Sequence, residues 1–395
     1  MKKILFTWEL GAGLGHLQPI RQRSEYLSGH ALFAAVQNLK SANRVLKDTP
    51  VQLLQAPKLN QKKANQNLQS RCYAELLANS IFFSEQDIFI LLKSWMSLFK
   101  LVQPDLVIFD HSPGALLAAR AFDFKKIICG SGFMCPPVEE PFGVFYQETI
   151  NKSERLEIKS SEEVLLKCCN KALRQLSLTP LESLAEIYRA DKTFISSLPV
   201  FDHFNRRADT CIYTGINKIP DGATPKWPST GEVRIYAYLK PFPNIGVLIQ
   251  EIVHSGHAAI IYSNNINPTF LMQFSAPNIR FASEPQSLQE VASSCDFAIV
   301  NSNHDTAAQL LLLGVPLLTI PLTIEQDMLT RKLAKTGAVF SAHPSDTDQI
   351  KQTFREMNKN LVIHKRTARN TALKLTSDNN EHSQMQYERY LDGIL

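Results

Sequence analysis

The chain has 395 residues, 44% of them hydrophobic and 20% charged, with 42 Lys and Arg against 37 Asp and Glu. At about 150 residues per domain this length suggests two to three domains, and the composition excludes a disordered or collagenous chain. The net charge of +5 is too small for a dedicated nucleic-acid binder and fits contact with phosphates or an anionic membrane surface.

The N-terminal half alternates strands and helices. KILFTW (3–8) is an apolar strand that breaks at Glu9 and runs into a glycine turn, so it reads as a first strand rather than a signal peptide. A helical pattern runs from His16 to Leu27. ALFAAV (31–36) and VQLLQ (51–55) read as buried strands. Gln61 to Lys100 reads as helical, with an apolar face around Ile88, Phe89, Leu92 and Trp95. DLVIFD (105–110), an Ala-rich helix after Pro113, and KKIICG (125–130) continue the alternation expected of a parallel sheet.

Residues 214–231 are rich in Pro, Gly, Thr and Ser and read as a linker. Beyond it a second series of strands appears at 233–239, 257–263, 278–282, 296–301 and 315–320, separated by helices near 250, 290, 310, 330 and 350. Two such series imply two Rossmann-like domains, 1–213 and 232–365, followed by a polar helical tail, 366–395. No stretch reaches 18 apolar residues, so no membrane-spanning helix is expected. The seven cysteines form no CxxC pair, and Cys168 and Cys169 leave a helix on different faces. Free thiols of this kind suit a reducing, cytoplasmic setting.

The turn after the first strand, GAGLGHLQP (11–19), opens a helix whose amides can approach an anion or a polar substrate. The second strand ends in Gln37-Asn38, with no acid to hold a ribose, which argues against a dinucleotide dehydrogenase. His16 sits at the helix start, where it either caps or packs on the helix or, held neutral by the helix dipole, is suited to general-base work. Asp110 ends another strand of the same sheet. It is placed either to orient that imidazole, as in a triad without its serine, or to cap the following helix.

The stretch DFAIVNSNHDTAAQLLLLGVPLLTIPLTIEQDMLTRKLAKTG (296–337) resembles the donor-binding segment of GT-B nucleotide-sugar glycosyltransferases, of the UDP-glycosyltransferase-like family. Asn301, Ser302, Asn303, His304, Asp305 and Thr306 align with that family's H-G-G-x-G-T. Gln309, Gly314, Val315 and Pro316 continue the motif, and Glu325-Gln326 stand at its D-Q. Pro285-Gln286 match a pair near the nucleotide base, and Gly15-His16 with Pro19 match the family's G-H-x-x-P.

The resemblance implies an α/β GT-B fold, two Rossmann-like domains facing a central cleft, with the tail packed back on the first domain. It implies an inverting transferase in which His16 is the base and Asp110 its partner. It places a nucleotide sugar, of the UDP type, as donor substrate over 301–306, with Gly15, Pro285, Gln286, Gln309, Glu325 and Gln326 also at the donor and no cofactor or metal. The acceptor, which the resemblance places on the first domain, is not named by the sequence; the apolar side chains of Phe82, Phe83, Ile88, Phe89 and Trp95 suit a lipid or aromatic acceptor and equally suit ordinary packing.

The departures are specific. Glycines of the phosphate loop are replaced by Ser302, Asn303 and Asp305, and the Asp305 carboxylate would repel a diphosphate. Lys240, in YLKP (238–241), is placed to offset that charge. Two alternatives follow from the altered loop and the fold: a weak or inactive GT-B-like binding protein, and a sugar-nucleotide epimerase. DTD (346–348) reads as a helix cap rather than a metal motif.

Overall fold

A computed structural model describes residues 1–59, 70–206, 210–219, 221–263, 265–378 and 382–395. The chain divides into two compact units, one of residues 1–197, 204–214 and 383–395, the other of residues 198–203 and 215–382.

The first unit is built on seven parallel strands: β1 (Lys3–Trp8), β2 (Ala31–Val36), β3 (Gln52–Gln55), β4 (Leu106–Asp110), β5 (Lys125–Gly130), β6 (Lys192–Ile195) and β7 (Ile212–Tyr213). Their order across the sheet is β3-β2-β1-β4-β5-β6-β7. Both faces of a parallel sheet are covered, so its central strands are unbroken apolar runs. Accordingly, every residue of β4 is buried. The helices α1 (Gln18–Tyr26), α2 (Leu39–Leu46), α3 (Tyr73–Ser80), α4 (Glu85–Val102), α5 (Pro113–Ala119) and α6 (Lys152–Gln175) surround it.

α4 starts at Ser84, whose side chain accepts from the Asp87 amide, and buries Ile88, Leu91, Leu92, Trp95, Phe99 and Val102. Its inward face therefore carries Leu91 in place of the expected Phe89, which is only half-buried. The expected helical run from Gln61 is two helices, α3 and α4, and its portion 60–69 lies outside the described residues.

The second unit has six parallel strands: β8 (Arg234–Tyr238), β9 (Ala258–Tyr262), β10 (Ile279–Ala282), β11 (Phe297–Val300), β12 (Leu317–Thr319) and β13 (Val339–Ser341). They are ordered β10-β9-β8-β11-β12-β13. Around them lie α7 (Ile245–Ser255), α8 (Pro268–Met272), α9 (Leu288–Ser294), α10 (His304–Leu312), α11 (Ile324–Ala334), α12 (Thr347–Lys359) and α13 (Leu361–Asp378).

The expected tail, 366–395, divides in two. α13 belongs to the second unit, and Ala368 joins that unit's core. Only the last helix, α14 (His382–Ile394), joins the first unit, where Tyr387 and Leu391 pack with the β1, β2 and β4 side chains. Tyr387 meets Phe194 edge-on at 4.8 Å between centroids. A second departure concerns 198–203, which group with the second unit rather than the first.

Candidate functional site

In each sheet the chain winds outward from its first strand, then returns to its other side. The reversal lies between β1 and β4 in the first unit and between β8 and β11 in the second. Open α/β sheets take ligands at the carboxyl ends of the strands flanking such a reversal, because the connections diverge there and leave a crevice. His16 and Asp110 fall at the first reversal, and Lys240 and 301–306 at the second.

At the first reversal, β1 and β4 pair with Trp8 beside Asp110. His16 closes a single 3-10 turn, Leu14–His16, and is 3% exposed. Its Nδ1 lies 3.1 Å from Asp110 Oδ1. Its ring stacks on Trp8, with centroids 4.9 Å apart and planes 17° apart. A carboxylate on Nδ1 favours the tautomer with its proton there and the lone pair on Nε2.

Gly11 stands over that nitrogen. Its φ is +86°, and a Cβ built on it would lie 2.5 Å from His16 Nε2. Any side chain here would be strained and would crowd the His16 ring. The loop is pinned by neighbours: the Leu10 amide donates to His111 O at 3.0 Å, the Trp8 indole donates to Leu10 O at 2.7 Å, and Gln37 Nε2 donates to Gly11 O. Gly15 is exposed in the same turn.

Asp110 does not cap α5. Glu9 takes that position, accepting from the amides of Gly114 (2.7 Å) and Ala115 (3.2 Å) and from the Trp95 indole. Burial pushes the Glu9 carboxyl up to about 7, against those hydrogen bonds. The division of labour leaves Asp110 available to His16. Glu9 is visible in sequence only as the acid that ends β1.

His111 carries no motif. Its backbone is left-handed (φ 45°), and its ring lies 6.2 Å from that of His16 and 6.3 Å from those of Tyr73 and Phe133. Both ring nitrogens are buried without a hydrogen-bond partner among the described residues. Burial, reinforced by His16, pushes this imidazole down to about 3, so it is neutral over the ordinary pH range.

The second reversal is arranged differently. Asn301 is fully buried. Its Oδ1 accepts from the Lys240 amide at 2.6 Å, and its Nδ2 donates to Ile320 O at 2.7 Å. It thereby ties the ends of β8, β11 and β12 rather than pointing at a ligand. Ser302 has φ 57°, the conformation that favours the glycine of the resembling motif, and its hydroxyl pairs with Thr330 at 2.7 Å.

Asn303 precedes α10 but does not cap it with its side chain; its Oδ1 accepts from Gln326 Nε2 at 3.0 Å. Gln326 is buried and also accepts from the Leu322 amide, which fits helix entry better than sugar reading. Glu325 is half-buried in the same first turn. Gln309 Nε2 donates to Asn217 O.

The Asp305 carboxylate is bound by its neighbours, with Oδ1 3.0 Å from His304 Nδ1 and Oδ2 accepting from Asn217 Nδ2 at 3.3 Å. Both carboxylate oxygens thus have hydrogen-bond partners within the second unit. The His304 ring sits 5.8 Å from that of His203. Thr306 is buried in the first turn of α10.

Gln286 is buried and donates to Glu284 O, while the exposed Pro285 accepts from the Ala223 amide at 2.9 Å. Lys240 is half-buried, and its ammonium has no carboxylate within ion-pair distance among the described residues. Among the described residues, the start of α10 has no side-chain cap from Asn303, which leaves its first amides a place where an anion can bind.

No group of three or more His, Cys, Asp or Glu among the described residues is placed to hold a metal ion. In the DTD segment, Asp346 caps α12 by accepting from the Gln349 amide at 2.9 Å. No described helix is long and apolar enough to cross a membrane.

No protein-family model matches the chain, and no curated protein matches its sequence. Solved structures do match its fold over nearly the full length. The glycosyltransferase of kitacinnamycin aligns with TM-score 0.69 at 13% identity, covering 100% of this chain and 98% of that one. The calicheamicin glycosyltransferase CalG4 aligns with TM-score 0.69 at 16% identity, covering 99% and 98%. The spinosyn rhamnosyltransferase SpnG aligns with TM-score 0.65 at 16% identity, covering 99% and 100%; it has also been solved with thymidine diphosphate and with spinosyn aglycone. The chain thus has the GT-B fold of these glycosyltransferases, two Rossmann-like units in one chain.

Proposed function

We propose that this protein is an inverting glycosyltransferase that moves a sugar from a nucleoside-diphosphate sugar to an acceptor hydroxyl. The carrying observation is the buried His16–Asp110 pair at the reversal of the first sheet, with Nδ1 bound and Nε2 facing the bare backbone of Gly11.

Nε2 takes the acceptor's O–H proton as the acceptor oxygen bonds to the anomeric carbon. The bond from that carbon to the donor phosphate breaks, and the nucleoside diphosphate leaves with the electron pair. Attack opposite the leaving group inverts the anomeric centre. Asp110 stabilises the imidazolium that forms, which lets a histidine serve as base for a weakly acidic alcohol. On the second unit, Lys240 and the α10 amides stabilise charge on the departing diphosphate.

SpnG's complex with thymidine diphosphate supports adding deoxythymidine donors to the uridine donors that the sequence motif favours. SpnG's complex with spinosyn aglycone supports a small-molecule acceptor beside His16.

The test is calorimetric titration with UDP-, dTDP- and GDP-sugars, followed by release of nucleoside diphosphate in the presence of hydroxylated aromatic and lipid acceptors. Donor binding with acceptor-dependent release supports transfer. A second reading, a GT-B-like binding protein, draws on the internal use of Asn301, Asn303 and Gln309. It predicts donor binding with no release for any acceptor. Absence of binding to every sugar nucleotide sinks both readings.

A further inference from the structure

α13 covers the second sheet at the edge opposite its phosphate-side loops. Lys365 pairs with Asp296, just before β11. Arg369 lies against Gly314, before β12, and Thr367 against Gly337, before β13. All three contacts are at the amino ends of their strands. The inner face of the helix buries His364, Ala368 and Ala372.

The outer face has an unusual make-up. Val362 is 75% exposed, Ile363 61% and Leu373 71%. At the helical 100° per residue, Val362, Arg366, Arg369 and Leu373 share one stripe, and Ile363 lies beside it. From Met357 to Ser377 the sequence has no acidic residue and five cationic ones, Lys359, Lys365, Arg366, Arg369 and Lys374. A hollow of about 400 Å3 is lined by Val362, Lys365, Arg366, Arg369 and Asn370. A helix that alternates exposed aliphatic and cationic side chains on one face matches a bilayer surface, where the aliphatic groups enter the acyl boundary and the cations meet anionic headgroups.

We infer that the outer face of α13 docks this protein on an anionic membrane surface. The charge is of one sign, which selects acidic lipids over neutral ones. The aliphatic groups sit between the charges, so they reach the acyl boundary when the cations reach the phosphates. The strand edge that carries Lys240 and 301–306 lies at the opposite end of the same sheet and remains free for a substrate. This inference does not depend on the transferase reading.

The experiment is co-sedimentation of the full chain with vesicles of phosphatidylcholine alone and of phosphatidylcholine mixed with phosphatidylglycerol. Binding is expected only to the mixed vesicles and should weaken as salt rises. Each cation near an acidic surface is worth about fivefold in partitioning, so Arg366→Glu with Arg369→Glu should lower binding by about 25-fold or more. Leu373→Asn, an exposed change that leaves the charges intact, should lower it several-fold. Circular dichroism verifies that the variants are folded, and Arg366→Glu alone serves if the change at Arg369 disturbs its packing. Equal binding to both vesicle types, no binding to the mixed vesicles, or binding unchanged in the folded Arg366→Glu variant would overturn the inference. Self-association that buries Leu373 with no vesicle binding would do the same.

Discussion

At the reversal of the first sheet, polar side chains hold one reactive ring; at the reversal of the second, they hold the loop itself. Asp110 and Trp8 fix His16 and leave Nε2 beside a bare glycine. Asn301, Ser302, Asn303 and Gln326 instead bond to one another's strands and helices. The same strand order around the reversal therefore does not dictate how a crevice is furnished. A loop built of Asn and Ser rather than glycine must satisfy their polar groups, and the nearest partners are internal. The two reversals therefore differ in what they present, a buried imidazole beside bare backbone at one and a loop bonded to itself at the other.

The sharpest way to break this contrast is to remove the base. His16→Ala should cut turnover by about 100- to 10,000-fold, the usual contribution of a general base, with little change in donor affinity by calorimetry. Asp110→Ala should not add to it, because the two act as a unit. Turnover close to wild type in His16→Ala would remove the base assignment.

A smaller effect concerns the neutral ring beside that base. In the unfolded chain His111 titrates near 6.5, and in the folded protein near 3. The unfolded state therefore binds the extra proton between those values. The stability this group contributes is present above about 6.5 and is lost as the pH falls toward 3. A tenfold difference in proton affinity between the two states is worth about 1.4 kcal/mol, so the loss reaches several kcal/mol at the acid end. Urea unfolding near pH 4 and near pH 7 should show His111→Phe as less acid-sensitive than wild type; equal pH dependence would mean that the ring is solvated.

Gly11→Ala sharpens the role of the bare backbone. The added methyl must move away from His16 Nε2, and φ +86° disfavours it further. Turnover should fall by at least about tenfold, which is about 1.4 kcal/mol in the barrier. Donor affinity should hold, since the change lies on the first unit. A fully active Gly11→Ala would show that the reacting hydroxyl approaches from elsewhere.

On the second unit the expected changes are smaller still. Asp305→Asn keeps an acceptor for Asn217 but removes the charge. Because that carboxylate is already paired, donor binding should tighten by no more than about tenfold, or about 1.4 kcal/mol, with the gain shrinking as salt rises. A hundredfold gain in a calorimetric titration would place the carboxylate toward the diphosphate. Ser302→Gly relieves a left-handed residue but loses the Thr330 hydrogen bond; opposing contributions of about 1 kcal/mol each nearly cancel. Thermal unfolding should show a shift within about 1 kcal/mol of zero.

The sequence by itself determined the two parallel sheets, because strands buried on both faces must be continuous apolar runs, and 3–8, 105–110 and 296–301 are such runs. It also picked out His16 and Asp110 as a pair, because a glycine turn after one strand and an acid ending another belong to one sheet edge. It did not show β6, β7 or β13, which have only four, two and three residues. Unlike the equally short β12, which is buried throughout, these strands are only partly buried and show no continuous apolar run.

Nor did local pattern assign the polar residues their tasks. Whether Glu9 or Asp110 caps α5, whether Asn301 faces a ligand or Ile320, and whether Asp305 is open or paired with His304 depend on partners up to 106 residues away in the chain. A side-chain amide or carboxylate bonds to whatever donor or acceptor the packed fold brings within about 3 Å, and only the tertiary structure decides which group that is.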